Sequence, residues 1–228
     1  DLAYNTLTKA VRAVRHNGIA EALEEIYERF VGVAASVPSE PSREGSANRD
    51  EIAHHYATTA ELVAELGPVS GVPFDVVDRA IKWLILAAER ASEQHYMKSA
   101  VRLATRALDL LGEEVDEHQV PSMLRLCLIR ASSFLEMRNT ARARADLDRV
   151  LHSSALLGDL SSEAEARRIL GTVVRLSGNL PGARGELSEA VRLFRLVDKP
   201  LRLARALRDR AFVELLADRK STRLNSSH

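Results

Sequence analysis

His54 and His55 stand side by side, two residues of a type that could do chemistry. A metal ion needs side chains that converge, and on a helix residues at i and i+4 do so. Adjacent residues point about 100° apart, so this pair reads as helix surface or helix packing. His16, His95, His118 and His152 are scattered singly, and His228 is the final residue. Cys127 is alone, which leaves no internal disulfide and fits a reducing, cytoplasmic setting. It sits in an apolar run with Leu124, Leu126, Leu128 and Ile129, so it reads as a small buried hydrophobe rather than a reactive thiol. No GxxxxGK[ST], GxSxG or HExxH pattern occurs. Carboxylates are abundant but interleave with arginine, as on solvated helix faces. No catalytic, cofactor-binding or metal-ligating residue is therefore expected in this chain, and its work is binding.

The elements that would position a binding site are helical. Ala, Leu, Arg and Glu dominate the 228 residues, and aromatics are only 4%, a composition of strong helix formers. Lys and Arg together balance Asp and Glu at 32 each, so bulk charge points to neither nucleic acid nor an anionic membrane. The strongest apolar stretch, WLILAA at Trp83 to Ala88, is too short to span a bilayer. Apolar residues at Leu7, Val11, Val14, Ile19, Leu23, Ile26 and Phe30 recur at helical spacing, with Gly18 expected to break or kink that segment. SVPSEPSREGSANRD, Ser36 to Asp50, reads as a flexible linker, with Asp50 as the cap of a helix that GPVSGVP ends. No stretch alternates long enough to predict a strand.

From Phe74 onward the chain repeats. Ala100, Ala104 and Ala107 match Ala143, Leu147 and Val150, then Ala183, Leu187 and Ala190. The same offset upstream places small residues at Ala88, Ala131 and Gly171. Small residues let two antiparallel helices approach; the larger ones fill the space between neighbouring pairs. This resembles the tetratricopeptide pattern of about 34 residues per helix–turn–helix unit, lengthened here to about 40 by the connecting loops. Ser162 and Glu165 have capping-box spacing for the third unit. A fourth begins near Ala204, with Ala211 in the small position; its first helix is expected to end near Ala217, without a second helix after it. Leu203, Leu207, Phe212 and Leu215 would then lack cover, and the chain could associate through that end. The expected fold is all-α, antiparallel helix-pair repeats forming a TPR-like α-solenoid after a helical junction, and incomplete.

In such an array the first helix of each pair lines the concave face. The candidate groove residues are Lys82 and Glu89 in the first unit, Arg125 and Ser132 in the second, Arg168, Thr172 and Arg175 in the third, and Arg205 and Arg208 in the fourth. Basic residues outnumber acidic ones in this set, which suits an acidic peptide or a neighbouring domain. RARADLDR reads as solubilising a second helix.

Two resemblances complete the reading. DLAYNTL at Asp1 to Leu7, RHNGIAEALE at Arg15 to Glu24 and EIAHHY at Glu51 to Tyr56 are similar to a recurring stretch in large bacterial signalling proteins. In those proteins an AAA/STAND-type ATPase precedes a helical junction and tetratricopeptide repeats, and the best-known members carry a class III adenylate/guanylate cyclase domain. The resemblance runs to Ala217, with the Ser36 to Asp50 insert as a departure. It implies a junction at 1–35 after an ATPase domain outside this chain, a linker at 36–50, a connecting helix and loop at 51–73, and about three and a half repeats at 74–217. ATP and magnesium are then expected only in upstream domains, and the partner is a protein, a peptide or another domain of the parent, with no nucleic acid or membrane contact. Alternatives are the repeat region of an ATP-dependent transcriptional regulator and a stand-alone adaptor. DRKSTRLNSSH, residues 218–228, resembles a translated short-read sequencing adapter, which implies a non-native tail. Without it the chain loses three basic side chains and one acidic one, leaving a slight acidic excess.

Overall fold

The computed structural model describes the backbone at residues 7–34 and 43–225 and the side chains at 7–29 and 49–219. Among the described residues the regular structure is helical throughout, with no strand. The helices are α1 (Lys9–Ala34), α2 (Arg43–Leu66), α3 (Val76–Glu93), α4 (Met97–Leu111), α5 (Val120–Glu136), α6 (Thr140–Leu157), α7 (Leu160–Leu176), α8 (Leu180–Leu196) and α9 (Pro200–Asn225). A short 3₁₀ turn, Glu117–Gln119, precedes α5. The chain divides into two compact units, Asp1–Leu126 and Cys127–His228, with the boundary inside α5.

Within Cys127–His228, α6 packs on α7, α7 on α8 and α8 on α9. Three of the short turns share one device. His95, Arg138 and Gly178 each adopt a left-handed backbone, with φ of 61°, 61° and 84°. A side-chain cap follows in two of them: Asn139 accepts from the Arg142 amide, and Asn179 from the Gly182 amide.

In the first unit α1 lies on α2, α2 on α3, and α3 on α4. α1 is continuous through Gly18, which is exposed and has open space where a Cβ would stand. A helix glycine costs only about 1 kcal/mol against alanine, less than sealing that helix onto α2 returns. Its buried face is not the stripe of Val11, Val14, Ile19 and Ile26, all of which are exposed. Ala13, Asn17 and Ala20 are buried instead, and so are Ala53, Tyr56, Ala57 and Ala60 of α2. Small residues on both helices permit the close approach. α2 begins at Arg43, so Asp50 is an interior residue that pairs with Arg90 rather than a cap. The rest of the expected linker, residues 36–42, lies outside the described residues, as do residue 35, Asp1 to Thr6 and 226–228. Gly67, at φ 80°, ends α2 by donating its amide to the Val63 carbonyl.

Every residue of the three aligned repeat sets is buried. In the second unit Ala183, Leu187 and Val213 form one cluster, and Ala164, Ala190, Val191, Leu193, Phe194 and Ala206 another. Leu203 and Leu207 pack against the latter, so the preceding helices cover two residues expected to be bare. Phe212 and Leu215 are exposed, and Ala211 with them. α9 runs on to Asn225, past Ala217, through residues that include neither Gly nor Pro. The cap of α7 is Asp159, which accepts from the Ser161 and Ser162 amides; Glu165 turns instead to Arg168.

No helix among the described residues is long and apolar enough to cross a membrane.

Candidate functional site

Alternate helices of the second unit enclose a concavity of about 390 Å³. α5 contributes Ser132, Leu135 and Glu136; α7 contributes Arg168, Ile169, Thr172 and Arg175; α9 contributes Arg208, Asp209 and Phe212. Leu187 of α8 reaches it from behind. The helical period explains the set, since residues three and four apart on α7 share one face.

Five of the nine candidate groove residues converge here: Ser132, Arg168, Thr172, Arg175 and Arg208. Arg205 is exposed on α9 and is not among the lining residues. Lys82, Glu89 and Arg125 belong to the other compact unit, Asp1–Leu126. There the Lys82 ammonium lies 3.3 Å from Glu24 and 5.4 Å from the Trp83 ring centre, and Arg125 donates twice to Glu89, at 2.5 and 2.6 Å.

The concavity is less positive than its arginines alone suggest. Asp209, which the sequence reading passed over, accepts from Arg168 at 2.8 Å through one oxygen and from Arg208 at 2.8 and 3.1 Å through the other. Arg168 also donates to Glu165 at 2.7 Å. Burial works against the Arg168 charge, and Glu165 and Asp209 more than restore it, so its pKa is raised. Two polar atoms in this network, Arg168 Nε and Glu165 Oε2, are buried without a hydrogen-bond partner. Arg175 places its guanidinium carbon 5.1 Å from the centre of the Phe212 ring. The lining thus combines apolar and aromatic side chains with three guanidinium groups, set against Glu136 and Asp209.

Such a surface can bind an acidic group beside an apolar one. It has no nucleophile paired with a base, and among the described residues no group of three or more His, Cys, Asp and Glu could hold a metal ion. Cys127 is fully buried, and burial, followed by the nearby Asp146 carboxylate, pushes its thiol up to about 11.

A second concavity, of about 410 Å³, lies where α2 passes into α3 and is lined by Val63, Val69, Val72, Val76 and Val77 beside Pro68 and Pro73. The Phe74 ring at its edge is almost fully exposed. The only signal in the sequence was GPVSGVP, which reads as a helix stop. No family model matches the chain, and no curated protein is similar to it.

Proposed function

We propose that this chain is a non-catalytic interaction module, a tetratricopeptide-like array whose second unit holds an acidic, partly apolar segment of a partner or of another domain. The carrying observation is the convergence of Ser132, Arg168, Thr172, Arg175 and Arg208 on one concavity built by α5, α7 and α9. Arg175 and Arg208 supply charge, and Leu135, Ile169 and Phe212 supply apolar lining.

The junction residues support a parent of the bacterial cyclase–ATPase signalling type. In it the array gates nucleotide-dependent chemistry carried elsewhere, and ATP and magnesium bind outside this chain. The parent is tested by reading the coding sequence across both ends of the locus. Paired metal-binding aspartates upstream support the cyclase type; a helix-turn-helix, or neither, overturns it. The same reading tests the tail, since a frame that continues beyond Ala217 into another helix marks Asp218 to His228 as foreign.

Binding is tested with a labelled peptide that alternates Asp or Glu with Leu or Phe, against a counterpart carrying Lys at the acidic positions. The acidic peptide is expected to bind, and Arg175→Glu with Arg208→Glu to weaken it at least about tenfold. Equal binding of both peptides, or an unchanged affinity in the variants, overturns the reading.

A further inference from the structure

His16 of α1 and His55 of α2 face each other across the helix pair with their Nδ1 atoms 2.7 Å apart. Their ring centres are 4.9 Å apart, and His54 completes a cluster with its own centre 5.3 Å from His55 and 6.1 Å from His16. The sequence reading took His16 as isolated; the antiparallel packing of α1 on α2 brings it to the pair.

A hydrogen bond between two imidazole nitrogens has a strict proton count. One Nδ1 must carry the hydrogen and the other must offer its lone pair. A singly protonated pair keeps the bond. Two imidazolium rings have no acceptor between them and set two positive charges at contact distance. We infer that the His16–His55 contact is a proton-sensitive latch between α1 and α2, closed while at least one ring is neutral and opened once both carry a proton.

The surroundings set the direction. Burial is the largest influence on both rings and disfavours their charged forms. His55, His54, Arg12 and Arg106 act on His16 in the same sense, and His54 does so on His55. Glu51 acts in the opposite sense on His55. Arg12 reaches the cluster from α1, Glu51 from α2 and Arg106 from α4, where Glu61 and Thr58 hold the Arg106 guanidinium. The α3 cations Arg79, Lys82 and Arg90 are engaged by Asp75, Glu24 and Asp50. Both histidines therefore titrate below their ordinary value of 6.5. A base whose folded pKa is lowered binds fewer protons folded than unfolded, so its contribution is complete above 6.5 and is lost as the pH falls below it.

The latch needs no partner or nucleotide and is independent of the concavity in the second unit. Its test is amide hydrogen exchange across Lys9–Ala34 in the full chain, from about pH 7.5 in steps down to about pH 4.5, corrected for intrinsic rates. Protection of α1 is expected to drop severalfold at the lower pH, and His16→Gln or His55→Gln to abolish that difference. Equal corrected protection in the wild type, or an undiminished pH response in both variants, overturns the latch. Wild-type ring titration by NMR guards against variants that misfold, because a His16 or His55 midpoint at or above 6.5 also overturns it. If α1 instead tightens with added zinc and ignores pH, the cluster is a metal site and the proton latch is wrong.

Discussion

A Cβ built on Gly171 would stand 2.6 Å from Leu187 Cγ and 3.3 Å from the Ala183 carbonyl oxygen, so α7 and α8 meet where only a hydrogen atom fits. Gly171→Ala gains about 1 kcal/mol of helix propensity but overpacks a contact whose relief costs about 1–3 kcal/mol. The expected outcome is a net loss of about 1 kcal/mol. Gly185 on α8 has open space at the same position, so Gly185→Ala should stabilise the chain by up to about 1 kcal/mol. Paired urea melts of the two variants check the opposite signs.

Asp146 is buried and holds Arg130 through two bonds of 2.9 and 2.6 Å, tying α6 to α5. Asp146→Ala removes two charge-assisted bonds from a guanidinium in a largely buried setting, and the expected cost is about 2 kcal/mol. Cys127 is fully buried, so a thiol-reactive dye reaches it only when the chain opens, and the less stable variant should label faster than the wild type under native conditions. Chemical denaturation and dye kinetics check the same loss by independent routes.

Glu24 links three helices: it accepts from Tyr56 of α2 at 2.5 Å and from Trp83 of α3 at 3.1 Å, with Lys82 at 3.3 Å. Burial alone would raise its pKa; the bonds from Tyr56, Trp83 and Lys82 outweigh it and lower the carboxyl below 4.5. A carboxylate with a depressed folded pKa contributes stability above 4.5 and loses it as the pH falls through the folded value. Glu24→Gln should cost about 2 kcal/mol at neutral pH and flatten the acid limb below that point. Thermal melts across the acid range check both.

Gly178 takes φ 84° with nothing near a Cβ, so the cost of Gly178→Ala is a backbone cost of about 1–2 kcal/mol. Arg138 holds the matching position at φ 61°, and Arg138→Gly should relieve up to about 1 kcal/mol. Opposite shifts in Tm at equivalent turns are the expected result.

The repeat-defining residues were legible because burial there depends on size. Ala100, Ala143 and Ala183 sit where helices approach closely, and each aligned set keeps the helical spacing. The α1 face was not legible in the same way. Its large residues suggested one stripe, whereas α2 packs on the alanines, a choice that depends on what the partner helix presents. Asp146 and Asp209 were hidden in RARADLDR and RALRDR, where arginines on both sides make a carboxylate look solvated. Only the fold shows which arginine comes from another helix. Asp159 supplanted the Ser162 cap because it precedes the first turn and reaches two free amides at once. Of the groove, α7 and α9 were readable through their period, while the Lys82, Glu89 and Arg125 charges meet partners that spacing alone does not reveal.

Asp209 already occupies Arg208, one of the two guanidinium groups offered to an acidic visitor, and holds Arg168 beside it. An arriving carboxylate trades places with a resident one, and the free energy of that exchange is the small difference between two similar contacts. Residence times should therefore be short and affinity modest, with discrimination falling to the apolar part of the ligand. An array working this way suits repeated sampling of its partner better than permanent capture.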